Sequence, residues 1–240
     1  MEPIIPAYID VFFVVLTFLL LIMIVFGYRS VLIKSDAAIE TRKRKVRRLA
    51  IPLLFWLLFL TKISGMNFLH NWSAMPPRMM VVFLPPLIFT IILLFSKSAK
   101  ELIHHVPQHW LIAIQSFRIV MELILLMLFL ENIIPQQMTF EGRNFDVLVG
   151  LSAIVVGYMS YKKKLSKNFI IGWNIFGLIL LLIIVVVAML SAPLPFRVFM
   201  NEPANTVIAY FPFIWLPGFV VPVAYCMHFL SLKKCLADQR

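Results

Sequence analysis

The sequence predicts an all-α protein, a polytopic transmembrane helical bundle of seven spans, and three observations carry that prediction. Of the 240 residues, 62% are hydrophobic and 22 are Phe, a composition foreign to a water-soluble domain. The apolar residues fall into runs of roughly membrane length, close to the ~20 residues that a crossing helix needs. The basic residues behind the formal net charge of +11 gather in short segments between those runs, as positive-inside bias requires. Charge placed that way argues against nucleic acid as a partner and makes membrane lipids the expected neighbours.

The first span is Val11 to Tyr28, bounded by Asp10 and Arg29. It lacks a basic leader and a small-residue cleavage signal, so it is expected to be retained. The linker after it holds the densest positive block of the chain, Arg42, Lys43, Arg44, Lys45, Arg47 and Arg48, and belongs on the cytoplasmic side, where it can also touch anionic lipid. The second span starts at Leu49 with Pro52 in its first turn, and it reaches Leu69 only by carrying Lys62, whose stem can snorkel. An outer loop from Asn67 to Arg78 leads into span three, Met79 to Ser96, where Pro85 and Pro86 are expected to kink the helix. Span four runs from Trp110 to Ile134 after an inner loop containing His104, His105 and His109. Span five, Val147 to Tyr161, is short and rich in small residues that allow close packing. Lys162, Lys163, Lys164 and Lys167 precede span six, Phe169 to Ser191, and span seven runs from Val207 to Leu232 through Pro212, Pro217 and Pro222.

The seven spans, approximately 11–28, 49–69, 79–96, 110–134, 147–161, 169–191 and 207–232, make residues 1–240 a single transmembrane domain. An outer N-terminus and an inner C-terminus put 17 of the 22 basic residues inside; Lys62, Arg78, Arg143 and Arg197 lie outside and Arg118 within the membrane. Spans one to three and five to seven share a plan: a basic block after the first span, and a proline cluster in the third, Phe83-Leu84-Pro85-Pro86 beside Trp215-Leu216-Pro217-Gly218. That plan suggests a 3+1+3 arrangement of parallel repeats, a symmetry found in some transporters.

Span four carries the costliest residues. Gln115, Arg118 and Glu122 are three and then four residues apart and share one helix face, so Arg118 is expected to pair with Glu122 inside the bilayer. An unpaired charge there costs roughly 2.5 to 3.5 kcal/mol on insertion scales. The functional reading is a polar ligand site in which the guanidinium fork binds a carboxylate or phosphate while Glu122 neutralises it or moves a proton. The plainer reading is a pair that fixes helix packing. Asn174 and His228 lie at comparable inner depth on spans six and seven and can complete that site, or His228 can simply end its helix at the interface. The outer loop Thr139 to Asp146 supplies a second set, Glu141, Arg143, Asn144 and Asp146, around a Gly142 able to turn the chain. This loop either folds into the bundle mouth or caps span five through Asn144 or Asp146.

No metal site is expected. Pro107 breaks the spacing that would bring His105 and His109 together, and Cys226 and Cys235 form no metal-spaced cluster or disulfide framework. The chain also lacks G-x-S-x-G, H-E-x-x-H, a glycine-rich phosphate loop and an acidic D-D-x-x-D cluster, and it identifies no cofactor. Binding or transport of a small polar or amphiphilic molecule is the leading expectation. A membrane-embedded enzyme acting on a lipid or isoprenoid, and a structural or assembly protein, are the alternatives; the oligomeric state stays open.

Gln115-Ser116-Phe117-Arg118 with Glu122, then Thr139 to Asp146, Trp173-Asn174, Trp215-Leu216-Pro217 and His228 carry a resemblance. Over residues 110 to 235 the chain resembles a bacterial multipass inner-membrane family without an assigned activity, and the first three spans match it in hydropathy alone. The resemblance implies a bacterial inner-membrane setting and transfers no catalytic role.

Overall fold

A computed structural model of the chain describes residues 3–35, 38–66 and 68–237, and every regular element among them is helical. Among the described residues, four helices are long and apolar enough to cross a membrane: Ala7–Lys34, Gln108–Leu130, Lys167–Ser191 and Leu216–Ala237. A fifth is reached if Met80–Phe95 and Ala99–His105, bent by 72° at their junction, count as one span.

Helix α1 (Ala7–Lys34) buries Ile9, Phe13, Leu16 and Leu20 and turns Phe12, Val15, Leu19, Met23 and Phe26 outward. A helix apolar on both its buried and its exposed sides is stable in lipid and not in water. Its buried Thr17 hydroxyl donates to the Phe13 carbonyl at 2.9 Å, which satisfies a polar group that no water reaches.

Helix α2 (Ile39–Ser64) begins ten residues before the expected start of span two. The basic block is therefore the first turns of a helix and not a linker. Arg and Lys are good helix formers, and Lys43 pairs with Glu40 across one turn at 3.1 Å. The early start also moves Pro52 from a first turn, where it costs little, to the helix interior, where its ring has no N–H to return to the Arg48 carbonyl.

Helix α3 (Met80–Phe95) continues through Pro85 and Pro86 as one element, so the change of direction comes later than the sequence indicates. It falls at Ser96, whose extended backbone ends α3 and whose hydroxyl accepts the Ala99 N–H at 3.1 Å to open α4 (Lys97–His105). The ammonium groups of Lys233 and Lys234 donate to the carbonyls of Leu94 and Ile103, the latter at 2.7 Å. Cations at the ends of α3 and α4 satisfy acceptors that a helix terminus leaves open.

Span four is built from α5 (Gln108–Ala113), a tight three-residue 3₁₀ turn at Ile114–Ser116, and α6 (Phe117–Leu130). Asn132, with φ 55°, ends it in the left-handed region that asparagine tolerates. Helix α7 (Asp146–Tyr161) has 16 residues and spans about 24 Å. A Cβ on its Gly157 would sit 3.2 Å from the Ala113 Cβ, and one on Gly150 would crowd Ile119 and Arg118, so both glycines set how closely α7 lies against α5 and α6. Helix α8 (Lys167–Ser191) is capped by Ser166, whose hydroxyl accepts from the Phe169 amide.

Span seven departs most from expectation, because the regular helix does not begin at Val207. Residues 207–215 form a 3₁₀ turn and an irregular, largely buried stretch, followed by a wide π turn at Leu216–Val220 and then α9 (Val221–Ala237). Pro212 and Pro217 explain the late start: neither can donate within a helix, and Pro217 is accommodated in the opening turn. The irregular backbone is buried in protein. Trp56 Nε1 donates to the Gly218 carbonyl at 2.8 Å, and Trp215 Nε1 donates to the Leu57 carbonyl and the Thr61 hydroxyl, each at 3.1 Å. Phe213 stacks on Phe13 of α1 in the main apolar core that α1, α2, α6 and α9 share.

Candidate functional site

Residues 115 to 118 straddle the 3₁₀ turn, which advances side chains by about 120° per residue instead of 100°. That turn keeps positions 115 and 118 on one side, and the two side chains part only in which neighbouring element they reach. Gln115 points to α9, where its Nε2 donates to the Ala224 carbonyl at 3.0 Å, whereas Arg118 points to the start of α7.

The partner of Arg118 is Asp146, not Glu122. Its Nη1 meets Asp146 Oδ1 at 2.8 Å, with the arginine side chain 2% exposed. Glu122 accepts instead from Asn144 Nδ2, which also donates to the Met138 carbonyl, while Asn144 Oδ1 accepts the Asp146 amide at 3.1 Å. Asn144 therefore ties the loop to Glu122 and turns the chain just ahead of α7 through the Asp146 amide; the N-cap is Phe145, with no side-chain cap, and not Asn144 or Asp146 as expected. Physically, the loop wins because an i,i+4 pair offers a single contact, whereas loop entry supplies a carboxylate and an amide together.

Gly142 turns the loop without a left-handed backbone, contrary to the sharp-turn expectation. Its role is close approach, since a Cβ would overlap the Gln136 carbonyl. Glu141 and Arg143 stay outside the buried set. Both are exposed, and the Arg143 guanidinium lies 4.9 Å over the Phe199 ring.

Asn174 and His228 do come together. His228 Nδ1 and Asn174 Oδ1 are 2.9 Å apart, both residues are fully buried, and the interfacial alternative for His228 is overturned. Asn174 Nδ2 donates to the Ile170 carbonyl and to Ser231 Oγ, each at 2.8 Å, and Ser231 also accepts from Gln108. Ser231 escaped the sequence reading although it sits three residues after His228, on the same helix face. Gly177 of α8 makes room for the imidazole, because a Cβ there would collide with it. Trp173 stacks at a tilt 5.3 Å from the His228 ring and donates to Ser152 of α7 at 3.0 Å.

Two polar clusters thus occupy the interior, one joining α6 to α7 and one joining α5, α8 and α9. Several buried polar atoms in them make no hydrogen bond among the described residues: Arg118 Nε and Nη2, Glu122 Oε2, Gln115 Oε1 and His228 Nε2. Buried groups are normally paired; five further buried polar atoms outside the two clusters, Asp10 Oδ1 and Asn205 Oδ1 among them, also lack a partner among the described residues. Of the three histidines at 104, 105 and 109, His104 and His105 meet edge-to-face at 4.7 Å, His105 also bonds the Glu101 carbonyl, and His109 packs edge-on against Tyr161. Among the described residues, no three His, Cys, Asp or Glu side chains are grouped to hold a metal ion.

No curated protein and no solved structure matches the chain. One family model does, and it covers the whole of span four, the outer loop and the helices that carry Asn174 and His228. By that match over residues 75–236, the chain belongs to the family described as Domain of unknown function (DUF8737).

Proposed function

We propose that this membrane protein binds or moves a small polar solute at the interior centre formed by Arg118, Glu122 and Asp146, with Gln115, Asn174 and His228 beside it. One observation carries the reading. Arg118 is nearly fully buried, yet it spends only Nη1 on Asp146 and leaves two donors without a protein acceptor. A guanidinium presents such donors in a fixed fork suited to a carboxylate or phosphate.

The surrounding charges narrow the solute. One guanidinium stands among two carboxylates, so a proton or a cationic group must balance the excess, and Glu122 Oε2 is free to receive it. A zwitterion, with its acidic group on Arg118 and its ammonium group on Glu122, gives both sets of unpartnered atoms a partner and, being net neutral, leaves the one excess negative charge to a bound proton. The scaffold we propose is the seven-span bundle with an outer N-terminus and an inner C-terminus, α2 and α7 crossing as well, in a bacterial inner membrane.

Thermal unfolding of the full chain in nanodiscs, against a panel of zwitterionic, anionic and cationic solutes, tests this. Saturable stabilisation by zwitterions, about 2.7 kcal/mol at one hundred times the dissociation constant, is the expected result. Its loss in Glu122→Gln, with unfolding otherwise retained, places the solute at this centre. A packing role is the competing reading, favoured because each bonded pair joins different elements. It predicts that no solute in the panel shifts the wild-type transition.

A further inference from the structure

One face of α2 carries Arg44, Arg47, Arg48, Ile51 and Pro52, and these five residues line a shallow groove of about 400 Å³. The spacing of three, one, three and one residues keeps them on one side of the helix. All three arginines are exposed, and none makes a hydrogen bond or ion pair among the described residues, whereas the neighbouring Lys43 and Lys45 are bound to Glu40 and Glu101. Further along the same side, Phe55 and Leu58 are 70% and 67% exposed. The face therefore changes from arginine to hydrocarbon within about 20 Å, the order of layers met by a helix entering a bilayer. Pro52 adds a polar feature at the boundary, an Arg48 carbonyl without its usual helical donor.

We infer that this groove is a binding site for the headgroup of an anionic phospholipid. Its phosphate lies among the Arg44, Arg47 and Arg48 guanidinium groups, and its acyl chains lie along Ile51, Phe55 and Leu58. A headgroup hydroxyl, as in phosphatidylglycerol, completes the match by donating to the Arg48 carbonyl. Charge complementarity selects the occupant: three unpaired guanidinium groups above an apolar face suit an anion joined to hydrocarbon better than either alone.

The test uses the full chain in neutral detergent, with native mass spectrometry to count retained phosphatidylglycerol, phosphatidylcholine or inorganic phosphate. Phosphatidylglycerol is expected to bind in preference to phosphatidylcholine, and the R44Q/R47Q/R48Q variant to lose on the order of 100-fold in affinity. The matched variant K162Q/K163Q/K164Q, in the other basic block, is expected to keep wild-type binding. Equal loss in both variants, or in neither, overturns the site, and inorganic phosphate bound as tightly as the lipid overturns its lipid character. Should the arginine variant fail to fold, a photo-activatable phosphatidylglycerol on the wild-type chain decides: cross-links concentrated at 44–58 support the site, and cross-links spread evenly over the basic segments refute it.

Discussion

Arg118 shows how a residue-scale rule can name the right side chain and the wrong partner. The i,i+4 spacing pairs it with Glu122, yet the bonded carboxylate is Asp146, 28 residues on, because the outer loop inserts its own polar ends into the bundle. The consequence is measurable. Arg118→Leu should destabilise the protein by about 3–5 kcal/mol by stranding buried carboxylates. Adding Asp146→Leu should recover much of that loss, and adding Glu122→Leu distinctly less, since Glu122 keeps its bond to Asn144. Unfolding midpoints of the two double variants in detergent would decide it, with equal values returning the pairing to Glu122. A second comparison separates local clash from helix propensity. Gly177→Ala should cost about 1–3 kcal/mol by driving a methyl group into His228. Gly172→Ala, one and a half turns earlier on the same helix with open space around it, should stabilise by roughly 0.5–1 kcal/mol. Similar shifts for the two in thermal melts would count against the close approach of α8 and α9.

At the scale of elements, most apolar runs were legible and their ends were not. Hydropathy finds α1, span four and α8 within a few residues, because lipid-length apolar runs are a one-dimensional signal. It misses the start of α2, since hydropathy treats Thr41 to Arg48 as polar linker while helix propensity and the Glu40 to Lys43 pair favour continuing the helix. It also misses the break before α9, where Val207 to Trp215 is as apolar as a helix but is held to α2 by the Trp215 indole, with the Trp56 indole donating to Gly218 just beyond. Proline misleads in both directions: two adjacent ones leave α3 continuous, while Pro212 and Pro217 delay α9. Of the candidate site, the polar side chains on spans four, six and seven could be picked out one by one. Their partners could not, because the bonds of Gln115, Arg118, Glu122 and His228, and that of Asn174 to Ser231, all span more than 20 residues of sequence. Pro52 offers a check at this scale. Pro52→Ala restores an interior helix donor and should raise the unfolding midpoint, by up to ~3 kcal/mol if the carbonyl it meets is otherwise unpaired. A lower midpoint would mean that Pro52 is needed for α2 to meet Trp215.

The whole molecule turns on whether α7 crosses the membrane. Its 16 residues cover about 24 Å against a hydrocarbon thickness of ~30 Å, so length alone leaves it short. Its outward face nevertheless carries Leu148, Leu151, Ile154, Val155 and Tyr158, a continuous apolar strip that water would penalise along its entire length. Tyr158 and Tyr161 lie at its far end with the Lys162 ammonium 5.7 and 5.6 Å over their rings, an arrangement suited to a membrane–water boundary. Local thinning of the bilayer covers a shortfall of a few ångströms at modest cost. If α7 crosses, Arg143 before it and Lys164 after it face opposite sides, and the same holds for Arg44 and Lys62 around α2. Single cysteines at these four exposed positions, in a background with Cys226 and Cys235 replaced by serine, report the side through a membrane-impermeant maleimide on intact cells. Cysteines at 62 and 143 are expected to label at once, and those at 44 and 164 only after permeabilisation. Labelling of 143 and 164 from the same side would make α7 a packed, non-crossing helix and overturn the proposed seven-span scaffold.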